Sequence, residues 1–141
     1  MRDTLLTALA GACACLAGTA GAQAEPACPS RDFPAFLAAF VNDVAVQKAF
    51  VAVPLRSDTV DADAEPEPKP VSRMLTVDQM RFPLMPSTRD QAKYRLKQEV
   101  MAVTRDDMRV RLYTPDTGNQ VIYAFRRGTC WTLYQIKDDS L

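Results

Sequence analysis

Few residues in this sequence have chemistry to offer. Asp78 and Arg81 are an acidic and a basic residue three positions apart, in a stretch that could face a pocket. A carboxylate–arginine pair can do acid/base work around a water without an imidazole. Cys28 and Cys130 are the thiols that remain once the first 24 residues are set aside; they are a disulfide or a candidate nucleophile. Histidine is absent, which excludes a Ser-His-Asp triad, a Cys-His pair and any His-ligated zinc site. Beyond residue 24 the glycines are Gly118 and Gly128, too few for a phosphate loop or dinucleotide fingerprint, and no Gly-x-Ser-x-Gly occurs. Asp61-x-Asp63-x-Glu65 opens like a calcium loop, but Pro66 stands where a glycine is needed and Ser72 where a bidentate glutamate belongs. No metal, cofactor or catalytic set is therefore expected. The 17 Lys+Arg cancel the 17 Asp+Glu, which argues against a nucleic-acid binder that works by counterion release.

The segment that precedes these residues reads as an export signal. Met1-Arg2-Asp3 is a short charged start, Thr4 to Gly21 is uncharged and rich in Ala and Leu, and Ala22-Gln23-Ala24 is a small-x-small cleavage pattern. All 10 prolines lie beyond it. The run is interrupted by glycine and no basic stop-transfer cluster follows, so no membrane span is expected. Cys13 and Cys15 raise the alternative of a lipid anchor, although neither is preceded by the usual Leu at −3. The expectation is a cleaved signal over 1–24, a periplasmic or secreted protein, and a single domain over 25–141. In an oxidising compartment, an isolated pair such as Cys28 and Cys130 is more often a disulfide than two thiols.

The elements that must position these residues are legible by period. Phe33, Phe36, Leu37, Phe40, Val41 and Val44 make one apolar helical stripe, with Asp32 as cap and a second short helix over Asp43–Ala49. Phe50–Val53 reads as a strand closed by Pro54. Arg56–Pro70, acidic and interrupted by Pro66, Pro68 and Pro70, reads as a solvated loop. Val71–Phe82 reads as extended, and Ser87-x-x-Asp90 opens a short helix over Arg89–Gln98. Gly118 and Gly128 each sit between strand-like runs, so two hairpins are expected, with glycine supplying positive φ. The first pairs Val110 with Tyr123 and Met108 with Phe125; the second, through an Arg126-Arg127-Gly128 loop, pairs Tyr123 with Trp131 and Val121 with Leu133. Those registers gather Met108, Val110, Leu112, Val121, Tyr123, Phe125, Trp131 and Leu133 on one face. Cys130 then lies on the other face, and a strap carrying Cys28 must cross the back of the sheet.

The order of these signals resembles a family. Phe36-Leu37-x-x-Phe40, Asp43 and Val51-x-Val53-Pro54-Leu55, closed by Tyr123-x-Phe125-Arg126-x-Gly128 and Trp131-x-Leu133-x-x-Ile136, are similar to an uncharacterised family of exported bacterial proteins. The resemblance implies an α+β fold of the nuclear-transport-factor-2-like kind, with N-terminal helices packed on a curved antiparallel sheet and enclosing a cone-shaped pocket. It lends no chemistry, and the cysteines are not part of the matching pattern.

Three readings follow. Tyr123, Phe125 and Trp131 could line a ligand pocket in the cone, although aromatics on a sheet face are more often core. The favoured function is a small exported, non-catalytic binding domain with an unknown protein or small-molecule partner. The alternatives are a carboxylate/arginine hydrolase or isomerase built on Asp78 and Arg81, and an inhibitor of another exported protein.

Overall fold

The computed structural model describes residues 26–140, so the expected signal, its cut after Ala24, and Cys13 and Cys15 lie outside the described residues. Helix α1 spans Phe33–Asn42 and begins as the pattern predicts: the Asp32 carboxylate accepts the Ala35 N–H, and Pro34 sits in the first turn, where a missing N–H costs nothing. Its stripe of Phe33, Phe36, Leu37, Phe40 and Val41 is buried. Helix α2, Val44–Ala49, is capped by Asp43.

Six strands follow in one sheet: β1 Val51–Asp61, β2 Lys69–Leu75, β3 Lys97–Thr104, β4 Asp107–Tyr113, β5 Gln120–Arg127 and β6 Trp131–Asp138. Their spatial order is β2-β1-β6-β5-β4-β3. A 3-10 turn at Val77–Gln79 and helix α3, Thr88–Lys93, lie between β2 and β3. The expected all-antiparallel sheet is corrected: β1 runs parallel to β6, so the sheet is mixed. Helix α1 packs on one face through Phe33, which meets Phe125 at 5.4 Å and Trp131 at 4.9 Å, and through Phe40, which meets Phe125 at 5.2 Å.

The expected loop over 56–70 is also corrected. Arg56–Asp61 continues β1 and pairs with Lys69–Met74, which leaves only residues 62–68 as a turn. The prolines fit because β2 is an edge strand, where the donor that Pro70 lacks need not meet a neighbour. Pro54 falls at the break in the β1–β6 ladder between Val51 and Arg56. On this strand Asp58 accepts from Ser72, Gln135 and Arg56.

The first hairpin has the expected register, Met108 with Phe125, Val110 with Tyr123 and Leu112 with Val121. The second does not. Strand β5 continues through Arg126 and Arg127, and the turn is Gly128-Thr129-Cys130, so Arg127 pairs with Trp131 and Phe125 with Leu133. Both arginines have partners that favour the strand: Arg126 lies 4.4 Å from the Tyr134 ring, and Arg127 bonds Asp106. The displacement is even, so Trp131 and Leu133 stay on the core face. A bulge then skips Tyr134 and pairs Ala124 with Gln135, which turns Ile136 toward the core, where it packs. Neither glycine has positive φ; the left-handed residue of the first hairpin is Asp116, at φ 61°.

The expected helix over Arg89–Gln98 ends at Lys93, and Lys97–Thr104 is a strand with every residue exposed.

Candidate functional site

On the helix-bearing face, the middle of the sheet is filled. Phe36, Phe40 and Phe125 are fully buried, and Trp131 lies among them beneath Phe33. Of the three aromatics proposed to line a pocket, Phe125 and Trp131 are therefore core. Tyr123 is 4% exposed, yet it borders a cavity of about 150 Å³ shared with Pro86, Leu96, Leu112 and Val121. The buried side-chain atoms left without a partner among the described residues are Asp107 Oδ1 and Arg109 Nε, and the Tyr123 hydroxyl is not one of them. Burial first, and the nearby Asp138 carboxylate second, push the phenol well above the ordinary tyrosine range, so it stays protonated.

A larger groove of about 630 Å³, lined by Ala92, Arg95, Leu96, Lys97, Thr114 and Pro115, opens beside this cavity. Leu96 and Thr114 belong to both walls. Local backbone chemistry sets the rim. Helix α3 starts at Ser87, whose hydroxyl accepts the Asp90 N–H and donates to the Asp90 carboxylate. It ends in a Schellman arrangement: the Leu96 N–H bonds Gln91 and the Arg95 N–H bonds Ala92. Arg95 is left-handed, at φ 56°, where glycine or asparagine is usual. Sequence reasoning missed this rim. The Tyr94-Arg95-Leu96 run lacks the glycine that would have marked the turn.

Asp78 and Arg81 are placed elsewhere. Both are exposed, around the 3-10 turn. The Asp78 carboxylate accepts from the Thr76 hydroxyl, which holds it below the usual carboxylate range, and Arg81 donates to the Asp78 backbone carbonyl. Arg81 borders an open depression with Arg73, Met74, Leu75 and Gln79, and no residue of the Tyr123 cavity is on that wall. Met80 and Met85, by contrast, are buried in the core.

The opposite face of the sheet carries paired charge. Arg111 bonds Gln120 at 2.7 Å and Glu99 at 3.2 Å while lying over the Tyr113 ring. The Tyr134 hydroxyl donates to Asp107 at 2.9 Å. Among the described residues, no group of three or more His, Cys, Asp or Glu is placed to hold a metal ion. No described helix is long and apolar enough to cross a membrane.

Cys28 and Cys130 form a disulfide, with Cα atoms 5.6 Å apart. The route differs from expectation. Cys130 sits in the β5–β6 turn and is buried with the helix-side core, so the strap reaches it without crossing the back of the sheet. A disulfide is compatible with an extracellular or periplasmic location.

This architecture has a solved counterpart. An NTF2-like protein from Bacteroides fragilis, known from a crystal structure at 2.15 Å, superposes with a TM-score of 0.56 at 21% identity over 78% of this chain. The fold is nuclear-transport-factor-2-like. The chain spans about half (47%) of that protein's length. It matches no protein-family description and no curated protein.

Proposed function

We propose that this chain is a small, exported, non-catalytic binding domain. The observation that carries the reading is the filled interior: Phe36, Phe40 and Phe125 occupy the face where a cone-fold enzyme would gather acid and base groups. Asp78 and Arg81 stand outside, in water, where a carboxylate and a guanidinium have little leverage on a substrate. The disulfide and the signal-like segment over 1–24 support export. The acid/base alternative keeps only its residue types. The inhibitor reading has one observation in its favour: β3 is an uncovered edge with Val100, Met101 and Val103 exposed, to which an extended segment of a partner could add a strand.

The test sets binding against turnover. Immobilised mature protein is exposed to an extract of the exported compartment, while hydrolysis and isomerisation of ester, phosphoester and enone panels are followed in parallel. Saturable retention of a component released chemically unchanged is expected. Sustained turnover abolished by Asp78→Asn would establish the acid/base alternative instead. Export is checked by intact mass, which should begin at Glu25 and carry no lipid; a diacylglyceryl adduct on Cys13 or Cys15 would place the protein at a membrane surface.

A further inference from the structure

We propose that the free edge of β3 pairs with the β3 edge of a second copy of this chain, antiparallel and centred on Val100, so that two sheets join into one. In that register Val100 meets the partner's Val100, Gln98 meets the partner's Ala102, and Glu99 meets the partner's Met101. The pairing goes beyond the binding-domain reading and does not depend on it.

The backbone fixes the register. Gln120 turns its carbonyl to the Asp139 N–H, on the β6 side, and the Thr114 N–H bonds the Asn119 carbonyl. Bonding direction alternates along an antiparallel ladder, so on β4 the groups of Leu112, Val110 and Met108 point to β5 and those of Tyr113, Arg111 and Arg109 point to β3. These last three pair with Lys97, Glu99 and Met101. The N–H and C=O of Gln98, Val100 and Ala102 therefore face away from the sheet, and no described strand lies beyond them. A two-fold axis at Val100 brings both groups of all three residues to those of the second copy. Sliding the pair by two residues in either direction leaves one of the three unmet.

The side chains suit a copy of the same strand. Val100 and Met101 are 46% and 41% exposed, more surface than single apolar residues of a covered sheet leave to water. No charged side chain is set opposite another: Glu99 faces the partner's Met101, and Lys97 lies across from the bulge at the partner's Val103. Glu99 is also held toward its own β4 by Arg111 and the Tyr113 hydroxyl. With 17 basic and 17 acidic residues, two copies approach without net repulsion. The two edges of the sheet are unlike. Strand β2 carries Lys69 and Pro70, which blunt an edge, whereas β3 has no proline between Lys97 and Thr104. Pairing β3 with β3 hides the open edge of both copies and leaves the two blunted edges outside, so assembly stops at two. A single strand pair is a small interface, so the dimer is in equilibrium with monomer at micromolar concentration.

Sedimentation equilibrium of the purified protein, from micromolar to millimolar concentration, should show monomer and dimer and no larger species. Amide hydrogen exchange reads the register. Gln98, Val100 and Ala102 should exchange quickly in dilute protein and slow as the dimer fills, whereas Glu99 and Met101, bonded to β4, should be slow at every concentration. Val100→Glu sets two carboxylates against each other at the axis and should raise the dimer Kd about tenfold or more, with the melting temperature of dilute protein unchanged. Val100→Pro removes an N–H that β4 does not use and should act alike; Met101→Pro removes one that β4 does use and should lower the melting temperature instead. A protein that stays monomeric at millimolar concentration overturns the proposal. So does a dimer whose Gln98, Val100 and Ala102 amides stay fast, which would put the contact on another surface, and so does a Val100→Glu variant that dimerises as wild type. Edge amides slowed only by a component of the exported compartment would give β3 to a partner's segment, overturning self-pairing while leaving the binding-domain reading in place.

Discussion

Trp131 donates its indole N–H to the backbone carbonyl of Arg31 at 2.9 Å, one residue before the cap of α1. The adjacent Cys130 is bonded to Cys28. Two tethers, one covalent, therefore fix the chain where it enters the helix whose phenylalanines make the core.

Thiol titration of the denatured, unreduced protein should find no free sulfhydryl, and reduction should lower the melting temperature. The bond closes a loop across a sequence separation of 102, for which chain entropy allows up to about 4.7 kcal/mol. Trp131→Phe loses both the bond to Arg31 and part of the buried indole, so a loss of about 2–4 kcal/mol is expected in denaturant unfolding. A reduced protein that melts at the oxidised temperature would show the tether to be idle.

Gln47 is fully buried in α2 and clamps the segment after Pro83. Its amide donates to the Met85 carbonyl at 2.9 Å and accepts from the Leu84 and Met85 N–H groups. Gln47→Leu strands those backbone groups in the core, and a loss of about 2–4 kcal/mol is expected from urea unfolding. A loss below about 0.5 kcal/mol would mean that water replaces the amide.

Replacing residues 62–68 by Asn-Gly should leave the unfolding transition cooperative, because Asp61 already pairs with Lys69 and a two-residue turn can join them. Deleting residues 58–69 should be destructive by comparison. That cut removes Asp58 from its bonds to Ser72 and Gln135 and shortens both strands.

Burial works against the charge on Asp58, but hydrogen bonds from Ser72, Gln135 and Arg56 outweigh it and hold the carboxyl below the ordinary 3.8. A depressed native pKa means that the unfolded chain binds the proton more readily. The contribution is complete above about pH 4 and is lost as pH falls from there through the native pKa. Stability measured from pH 6 to pH 2 should therefore fall more steeply for wild type than for Asp58→Asn.

Gly118 has negative φ, and an added Cβ would meet nothing within 4 Å. Gly118→Ala should be neutral or stabilising by up to about 1 kcal/mol through the unfolded state. Loss of stability would show that the turn needs the glycine after all.

The parts of the fold that were legible in the sequence are those written in local pattern. The α1 stripe with its Asp32 cap, and the Val110–Tyr123 register, depend on neighbours a few residues away. Strand β3 was hidden because its exposed residues carry no alternation of burial to reveal a face. The parallel β1–β6 pair joins segments far apart in sequence, Val51 with Leu133, and no local signal announces that. Of the candidate site, Tyr123 was named among the aromatics, but Arg95 and Lys97 were not. Their relation to it runs through Leu96 and Thr114, which meet only in the folded chain.

The parallel pairing of β1 with β6 also dictates an order of assembly. The β1–β2 hairpin and the β3–β6 meander can each form from neighbouring residues, but the ladder that joins them includes Leu133, Gln135, Ile136 and Lys137, far along the sequence from β1. During synthesis, α1 must wait with its phenylalanines uncovered, and β1 with one side unpaired, until those residues emerge. Non-local contacts of this span are slow to close, and chains waiting on them are prone to aggregate. Loss of residues 133–138 would therefore do more harm to folding yield than their small share of the buried surface suggests.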